Sequence, residues 1–141
     1  MRELWTSDLP TYNGEFVAFE RVHCRPRPAN GAVPIIIGGH SKAAARRAGR
    51  LGDGFFPARE FVHELGDLVR VTAEEVGRDP NNIEIVTNMP EDEAEMAPLA
   101  EAGVTRMMVP VVGLAGVKDR GIDGPEDLLK WRETIERYAN L

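Results

Sequence analysis

The segment Gly38–Ser41 contains the residue types in this chain that are best suited to hold an anion. It follows the aliphatic run 34–37 and precedes an alanine-rich stretch that begins at Lys42. Neither glycine carries a Cβ, so a ligand can approach the backbone closely, and Ser41 is a favourable helix N-cap. Unpaired N–H groups and the helix dipole then point the same way. The pattern predicts either an anion site or a tight strand-to-helix turn without a ligand.

Charged and titratable residues near this turn extend the chemistry that it could support. His40 could donate to a phosphate or act as an acid or base, although the spacing identifies no carboxylate or cysteine partner. Four basic residues follow on one predicted helix, and they could neutralise a phosphate or an acidic tail: Lys42, Arg46, Arg47 and Arg50. The favoured interpretation is a solvated helix face, because the outer surface of such a helix points away from the strand ends where ligands bind.

Other candidates are further along the chain. Asp53 is predicted to pair with Arg46 or Arg50. Lys118 and Arg120 lie in a glycine-rich loop after the last strand, and such loops build barrel active sites. We expect structural roles for the three remaining candidates, which are His23, His63 and Cys24.

Composition limits the classes of function. The 141 residues fit one domain, and the net charge of -6 argues against nucleic acid or an anionic membrane as the main partner. The single cysteine excludes an intrachain disulfide and a cysteine metal cluster, and we expect no metal site. No apolar run approaches the roughly 20 residues of a membrane span, and the N-terminus lacks a signal-peptide core. A cytoplasmic location is the expectation.

The elements that must position these residues follow a regular order. Residues 1–33 are predicted to hold a helix end (1–8), an Asn13-Gly14 turn, extended pieces at 16–19 and 21–24 that form a small ribbon, and a proline-rich connector. Residues 34–141 are predicted to form four βα units. The predicted strands are 35–37, 54–56, 83–87 and 104–109, and the predicted helices are 41–51, 60–76, 91–102 and one that begins at Pro125.

Apolar patterning predicts how these elements are buried. Three branched aliphatic residues in succession, Ile35–Ile37, predict a strand covered on both faces. Of Phe55 and Phe56, one is expected in the core and the other inside a barrel. The second helix is expected to bury Phe61, Val62, Leu65, Leu68, Val69, Ala73 and Val76, and the last helix Leu128, Trp131, Ile135 and Tyr138.

This alternation predicts an α/β fold with a parallel sheet and right-handed crossovers. Four βα units fit either an open doubly wound sheet or half of a (β/α)8 barrel of about 250 residues. The pattern alone does not choose between the two architectures.

Several motifs together resemble the luciferase-like monooxygenase family, and most closely its branch that uses the deazaflavin F420. The motifs are Tyr12–Phe16, then Phe19, then Pro34–Ser41, and then Leu51–Pro57 with its Gly-Asp-Gly-Phe core. The later elements continue in register to Leu141, so the resemblance covers nearly the whole chain. It covers only part of the family's barrel, and the chain resembles the C-terminal half of a (β/α)8 TIM-type barrel.

The resemblance implies an oxidoreductase with F420 or FMN at the C-terminal face of the barrel, which transfers hydride to or from a small organic substrate. It implies that Gly38, Gly39, His40 and Ser41 lie at the cofactor's phosphate or ring edge, and that the next strand adds Asp53, Gly54 and Phe55 as cofactor-binding residues. It assigns no catalytic residue to this chain.

Three interpretations stay open. In the first, the chain is an oxidoreductase half that completes its site as a homodimer or larger homo-oligomer, since half a barrel leaves strand edges and an apolar inner face. In the second, it is a non-catalytic truncated half-barrel that self-associates as a ligand-binding or structural module. In the third, it is a piece of a longer protein.

Overall fold

A computed structural model describes residues 1–90, 92–108, 125–129, 132 and 136. A short helix comes first, and a small antiparallel ribbon follows it before the βα units begin. The helices are α1 (Arg2–Thr6), α2 (Lys42–Leu51), α3 (Val62–Glu75), α4 (Met96–Glu101) and α5 (Pro125–Leu129); the strands are β1 (Tyr12–Asn13), β2 (Ala18–Phe19), β3 (Ile36–Gly38), β4 (Gly54–Phe56), β5 (Glu84–Asn88) and β6 (Arg106–Met108).

The four later strands form one parallel sheet in the order β3-β4-β5-β6. This confirms the predicted α/β class with parallel strands. Each strand in the described residues pairs with the next along the chain, so the order never reverses. A doubly wound sheet reverses its order at a switch point, whereas consecutive strands of a (β/α)8 barrel do not. The topology therefore favours the half-barrel over the open sheet.

The core lies between this sheet and the helices α2 and α3. Phe55 and Ile85 are partners on neighbouring strands, and both are buried on the helix side. The inner side of α3 meets them with Val62, Leu65, Val69 and Ala73, as its spacing predicts. Phe56, the next residue after Phe55, is only half-buried, as alternation along a strand requires.

Helices α2 and α3 approach closely because α2 presents small residues to its neighbour. Ala45, Ala48 and Gly49 are buried. A Cβ on Gly49 would lie 2.6 Å from the backbone oxygen of Val69, so no larger residue fits there without moving a helix. This close packing sets the distance between α2 and α3 on one side of the sheet.

Three sequence predictions about burial and pairing are wrong. Ile36 in β3 is 37% exposed, because β3 is an outer strand and Ile36 lies on the face opposite the helices. Val76 is 48% exposed, because α3 ends at Glu75. The ribbon pairs Tyr12–Asn13 with Ala18–Phe19, rather than 16–19 with 21–24, because the chain reverses between Gly14 and Val17.

The last part of the chain is only partly described. Helix α5 begins at Pro125 as predicted. The loop 110–124, with Lys118 and Arg120, lies outside the described residues, as do Trp131, Ile135 and Tyr138. No helix of the described residues is long and apolar enough to cross a membrane.

Candidate cofactor site

The glycine turn follows β3 at the carboxyl end of the sheet. Gly39 has a φ of +136°, a conformation that residues with a side chain rarely adopt. Its N–H donates to the Phe56 carbonyl (3.2 Å), and a Cβ on Gly39 would lie 2.9 Å from the Cβ of Ala44. Gly38 is less constrained, since a Cβ there would find only the Phe56 oxygen at 3.9 Å. The turn therefore requires glycine at position 39 more strictly than at position 38.

Ser41 is the N-cap of α2, as its position predicts. Its Oγ accepts from the Ala44 N–H (3.2 Å), and its carbonyl accepts from Ala45 (3.0 Å). The N–H groups of the four residues before Ala44 find no acceptor among the described residues: His40, Ser41, Lys42 and Ala43. A glycine turn followed by unpaired donors at a helix N-terminus has the chemistry of an anion site.

His40 joins this turn to the loop after β4. Its Nδ1 accepts a hydrogen bond from the Ala58 N–H (3.0 Å), and its ring stacks on Phe61 with centroids 6.0 Å apart and planes at 27°. Because Nδ1 is an acceptor, the proton of the neutral ring is on Nε2. No spacing rule could have found Ala58, since its contribution is a backbone N–H from the next βα loop.

A second link joins the following loop at the same end of the sheet. Arg59 Nη1 lies 3.0 Å from Glu95 Oε2, which belongs to the short helical turn before α4. The loops after β3, β4 and β5 are therefore connected in series by His40 and Arg59. Sequence inspection did not identify this ion pair, because its residues are 36 positions apart.

The basic residues of α2 are exposed on the helix surface. Lys42 Nζ lies 3.2 Å from Glu64 on α3, so its charge is shared with a carboxylate. Arg46, Arg47 and Arg50 are exposed. These positions match the favoured interpretation of a solvated helix face.

Asp53 lies at the opposite, amino end of the sheet. Arg2 Nη2 donates to both of its carboxylate oxygens (2.8 and 2.7 Å), and the Ile35 N–H donates to Oδ2 (2.8 Å). The predicted partners Arg46 and Arg50 are thus replaced by Arg2, whose side chain reaches from α1 to Asp53 and to the Leu51 carbonyl. Burial alone raises the pKa of Asp53, but the Ile35 N–H, Arg2 and the charge of Arg78 outweigh it and leave that pKa below its usual value.

Gly54 and Phe55, the two residues of β4 that the resemblance assigns to the cofactor, also lie away from the glycine turn. Gly54 is buried at the start of β4, where a Cβ would lie 2.5 Å from Ile36 Cδ1. Phe55 is fully buried on the helix side of the sheet. Asp53, Gly54 and Phe55 therefore support the fold around the site, and only Gly38–Ser41 lie together at the carboxyl edge.

The three remaining candidates are not part of the Gly38–Ser41 turn. His63 is exposed on α3, His23 is exposed beyond the ribbon, and the free Cys24 is half-buried. Within the described part of the chain, no group of three or more His, Cys, Asp or Glu residues could hold a metal ion.

Comparison with known proteins identifies the family. The family model described as luciferase-like monooxygenase matches residues 1–106, which includes the glycine turn and the first three strands of the sheet. The chain belongs to this family. The resemblance read from the sequence motifs is therefore confirmed.

Several relatives of this chain are named as F420-dependent enzymes. An F420-dependent glucose-6-phosphate dehydrogenase of Mycobacterium avium is 30% identical over 139 residues, which is 96% of this chain and 41% of that protein. The enzyme of the same name from Nakamurella multipartita is 32% identical over 94 residues, which is 63% of this chain and 27% of its own length. This chain thus spans about two fifths of the length of the first relative.

Solved structures agree on the fold. An F420-dependent secondary alcohol dehydrogenase, in complex with an F420-acetone adduct, matches with a TM-score of 0.55 at 25% identity, over 62% of this chain and 28% of that one. The coenzyme F420 dependent tetrahydromethanopterin reductase of Methanopyrus kandleri matches with a TM-score of 0.56 at 17% identity, over 66% and 29%. The parallel βα units of this chain correspond to a part of a TIM-type barrel.

Proposed function

We propose that this chain is the cofactor-binding part of an F420-dependent oxidoreductase that transfers hydride between the deazaflavin and a small organic substrate. The observation that carries the proposal is the glycine turn Gly38–Ser41, whose neighbouring N–H groups lack acceptors in the described chain. The F420-dependent relatives support F420 over FMN as the occupant.

The residues at the turn fit the anionic part of such a cofactor. Gly38 and Gly39 leave the backbone uncovered, and the N-terminus of α2 supplies donors and a favourable dipole. These groups would hold a phosphate by hydrogen bonds that need no side-chain charge.

F420, when bound, would supply a two-electron acceptor or donor that exchanges hydride with carbon. In the oxidative direction, a substrate carbon bearing a hydroxyl loses its hydrogen with two electrons, the hydroxyl releases a proton, and a carbonyl forms. The contribution that we assign to this chain is to bind and orient the cofactor. We assign the proton transfer to none of its residues.

Spectroscopic titration tests this function. Purified protein is titrated separately with F420 and with FMN, and cofactor fluorescence or absorbance is followed. We expect micromolar binding of F420 and weaker binding of FMN. Absence of binding by either cofactor would contradict the proposal.

A second candidate function, a self-associating half-barrel, is favoured by one observation. The sheet face opposite the core exposes apolar side chains at both outer strands, with Ile36 37% and Met108 48% exposed. Two copies would supply eight βα units, the number that closes a TIM-type barrel. This association is compatible with cofactor binding and would place two glycine turns in one barrel.

A further inference from the structure

His40 adds a side-chain link between the glycine turn and the loop after β4, which the backbone bond from the Gly39 N–H to the Phe56 carbonyl already brings together. Its Nδ1 accepts from the Ala58 N–H at 3.0 Å, and its ring stacks on Phe61. Ala58 is itself joined to the start of α3, since its carbonyl accepts from the Phe61 N–H at 3.0 Å. The imidazole therefore connects the glycine turn, the β4–α3 loop and the first turn leading into α3.

This connection matters because the turn contains two consecutive glycines, Gly38 and Gly39. Two consecutive glycines give the unfolded and locally opened chain many more conformations than other residues would. The donors at the N-terminus of α2 have a useful direction only while Gly38 and Gly39 keep their observed conformation. An anchor immediately after the glycines reduces that freedom at the site of binding.

The direction of the hydrogen bond between Ala58 and His40 also determines which ring nitrogen of a neutral His40 carries the proton. A neutral imidazole has one donor and one acceptor nitrogen, and Ala58 engages the acceptor. The Ala58 N–H has no second acceptor among the described residues and its bond to Nδ1 is exposed, so loss of Nδ1 would leave this N–H to water and remove the side-chain link between the two loops.

We infer that His40 is a positioning residue, which holds the Gly38–Ser41 turn in its anion-binding conformation by accepting the Ala58 N–H at Nδ1. It acts through the backbone of the turn. The inference rests on the proposed function only in taking F420 as the bound anion. The hydrogen bond from the Ala58 N–H to His40 does not depend on a cofactor.

Two substitutions separate this role from direct contact with the ligand. His40→Asn keeps a carbonyl oxygen near the place of Nδ1 and loses the Nε2–H. His40→Gln keeps an amide donor near the place of Nε2 and loses the Nδ1 acceptor. His63→Asn, at an exposed position on α3, is the matched control.

The free protein is measured first, so that the result does not depend on any cofactor. Long-range proton–nitrogen NMR spectra should show His40 with its proton on Nε2. Amide hydrogen exchange at Ala58 should be about tenfold faster in His40→Gln than in wild type, and close to wild type in His40→Asn and His63→Asn. Equal exchange in all four proteins, or a proton on Nδ1, would overturn the inference.

F420 titration is measured second. We expect His40→Gln to weaken affinity about fivefold, the effect of one lost hydrogen bond, and His40→Asn to restore most of it. The reverse order, with His40→Gln near wild type and His40→Asn weakened, would make His40 a direct ligand donor and overturn the positioning role. If wild type binds no F420, the proposed function fails, and the exchange experiment still decides whether the link exists.

Discussion

Arg2 and Asp53 lie 51 residues apart in sequence and form a two-oxygen contact, with Arg2 Nη2 2.8 Å from Oδ1 and 2.7 Å from Oδ2. The same carboxylate accepts the Ile35 N–H. One side chain thereby joins α1, the approach to β3 and the start of β4 at the amino end of the sheet. The glycine turn Gly38–Ser41 lies at the other end, so Asp53 contributes stability to the scaffold.

The lowered pKa of Asp53 makes the stability of the fold depend on pH in acid. A carboxylate whose pKa is lower in the folded than in the unfolded state stabilises the fold above its unfolded pKa of about 3.9. That contribution is lost as the pH falls through the folded pKa. Urea unfolding of wild type and Asp53→Asn should differ by about 1 kcal/mol at pH 7, and the difference should shrink as the pH falls through the folded pKa of Asp53.

Glu15→Gln is the control for this experiment. Glu15 is exposed in the ribbon and has no hydrogen bond or ion pair in the described chain, so its neutralisation changes net charge alone. If Glu15→Gln and Asp53→Asn changed the pH profile equally, general charge repulsion would account for the effect and the Arg2–Asp53 contact would not.

Arg78 caps the C-terminus of α2, and its removal should destabilise the fold. Its guanidinium donates to the carbonyls of Gly49 and Gly52, each at 2.6 Å, and more weakly to Ala48 at 3.3 Å. Arg78→Ala should lower the free energy of unfolding by about 2 kcal/mol, because half-buried carbonyls lose charged donors. Thermal unfolding followed by circular dichroism measures it. Arg47→Ala, at an exposed position of α2, should change it by less than about 0.5 kcal/mol.

Gly39→Ala should weaken F420 binding at least about tenfold, because position 39 has a φ of +136° and a Cβ there would collide with Ala44. Gly77→Ala is the control for backbone strain, since Gly77 also has a positive φ, has open space around it and follows α3 at the amino end of the sheet. Both variants should lose stability, and only Gly39→Ala should lose affinity. Unchanged affinity in Gly39→Ala would exclude the turn as the binding site.

The sheet face opposite the core exposes Ile36 and Met108, and this predicts that the chain associates in solution. Light scattering after size exclusion should give at least twice the chain mass of 15.6 kDa at micromolar concentration. Met108→Lys should reduce that mass, because it adds a charge to an apolar contact face, whereas Val71→Lys, on the exposed side of α3, should not. A monomeric wild type would contradict the self-associating half-barrel.

Local signals in the sequence were sufficient for the order of the elements and for the ends of the first βα unit. Ser41 caps α2 and Gly52 ends it as predicted, because a cap needs only a side chain or a missing side chain within a few residues. The glycine turn, the opposite burial of Phe55 and Phe56, and the apolar side of α3 follow from spacing for the same reason, although spacing did not say which phenylalanine is buried. The motifs of this region were also sufficient to identify the family.

The tertiary structure alone decided which residues come together at each end of the sheet. The strand order that favours a half-barrel, the exposure of Ile36 and the pairing of Asp53 with Arg2 depend on which element lies beside which, and no local pattern encodes that. The link from His40 to Ala58 depends on a backbone N–H, which every residue except proline carries. The sequence by itself therefore located the turn, whereas the packing of neighbouring loops decided which side chain holds it.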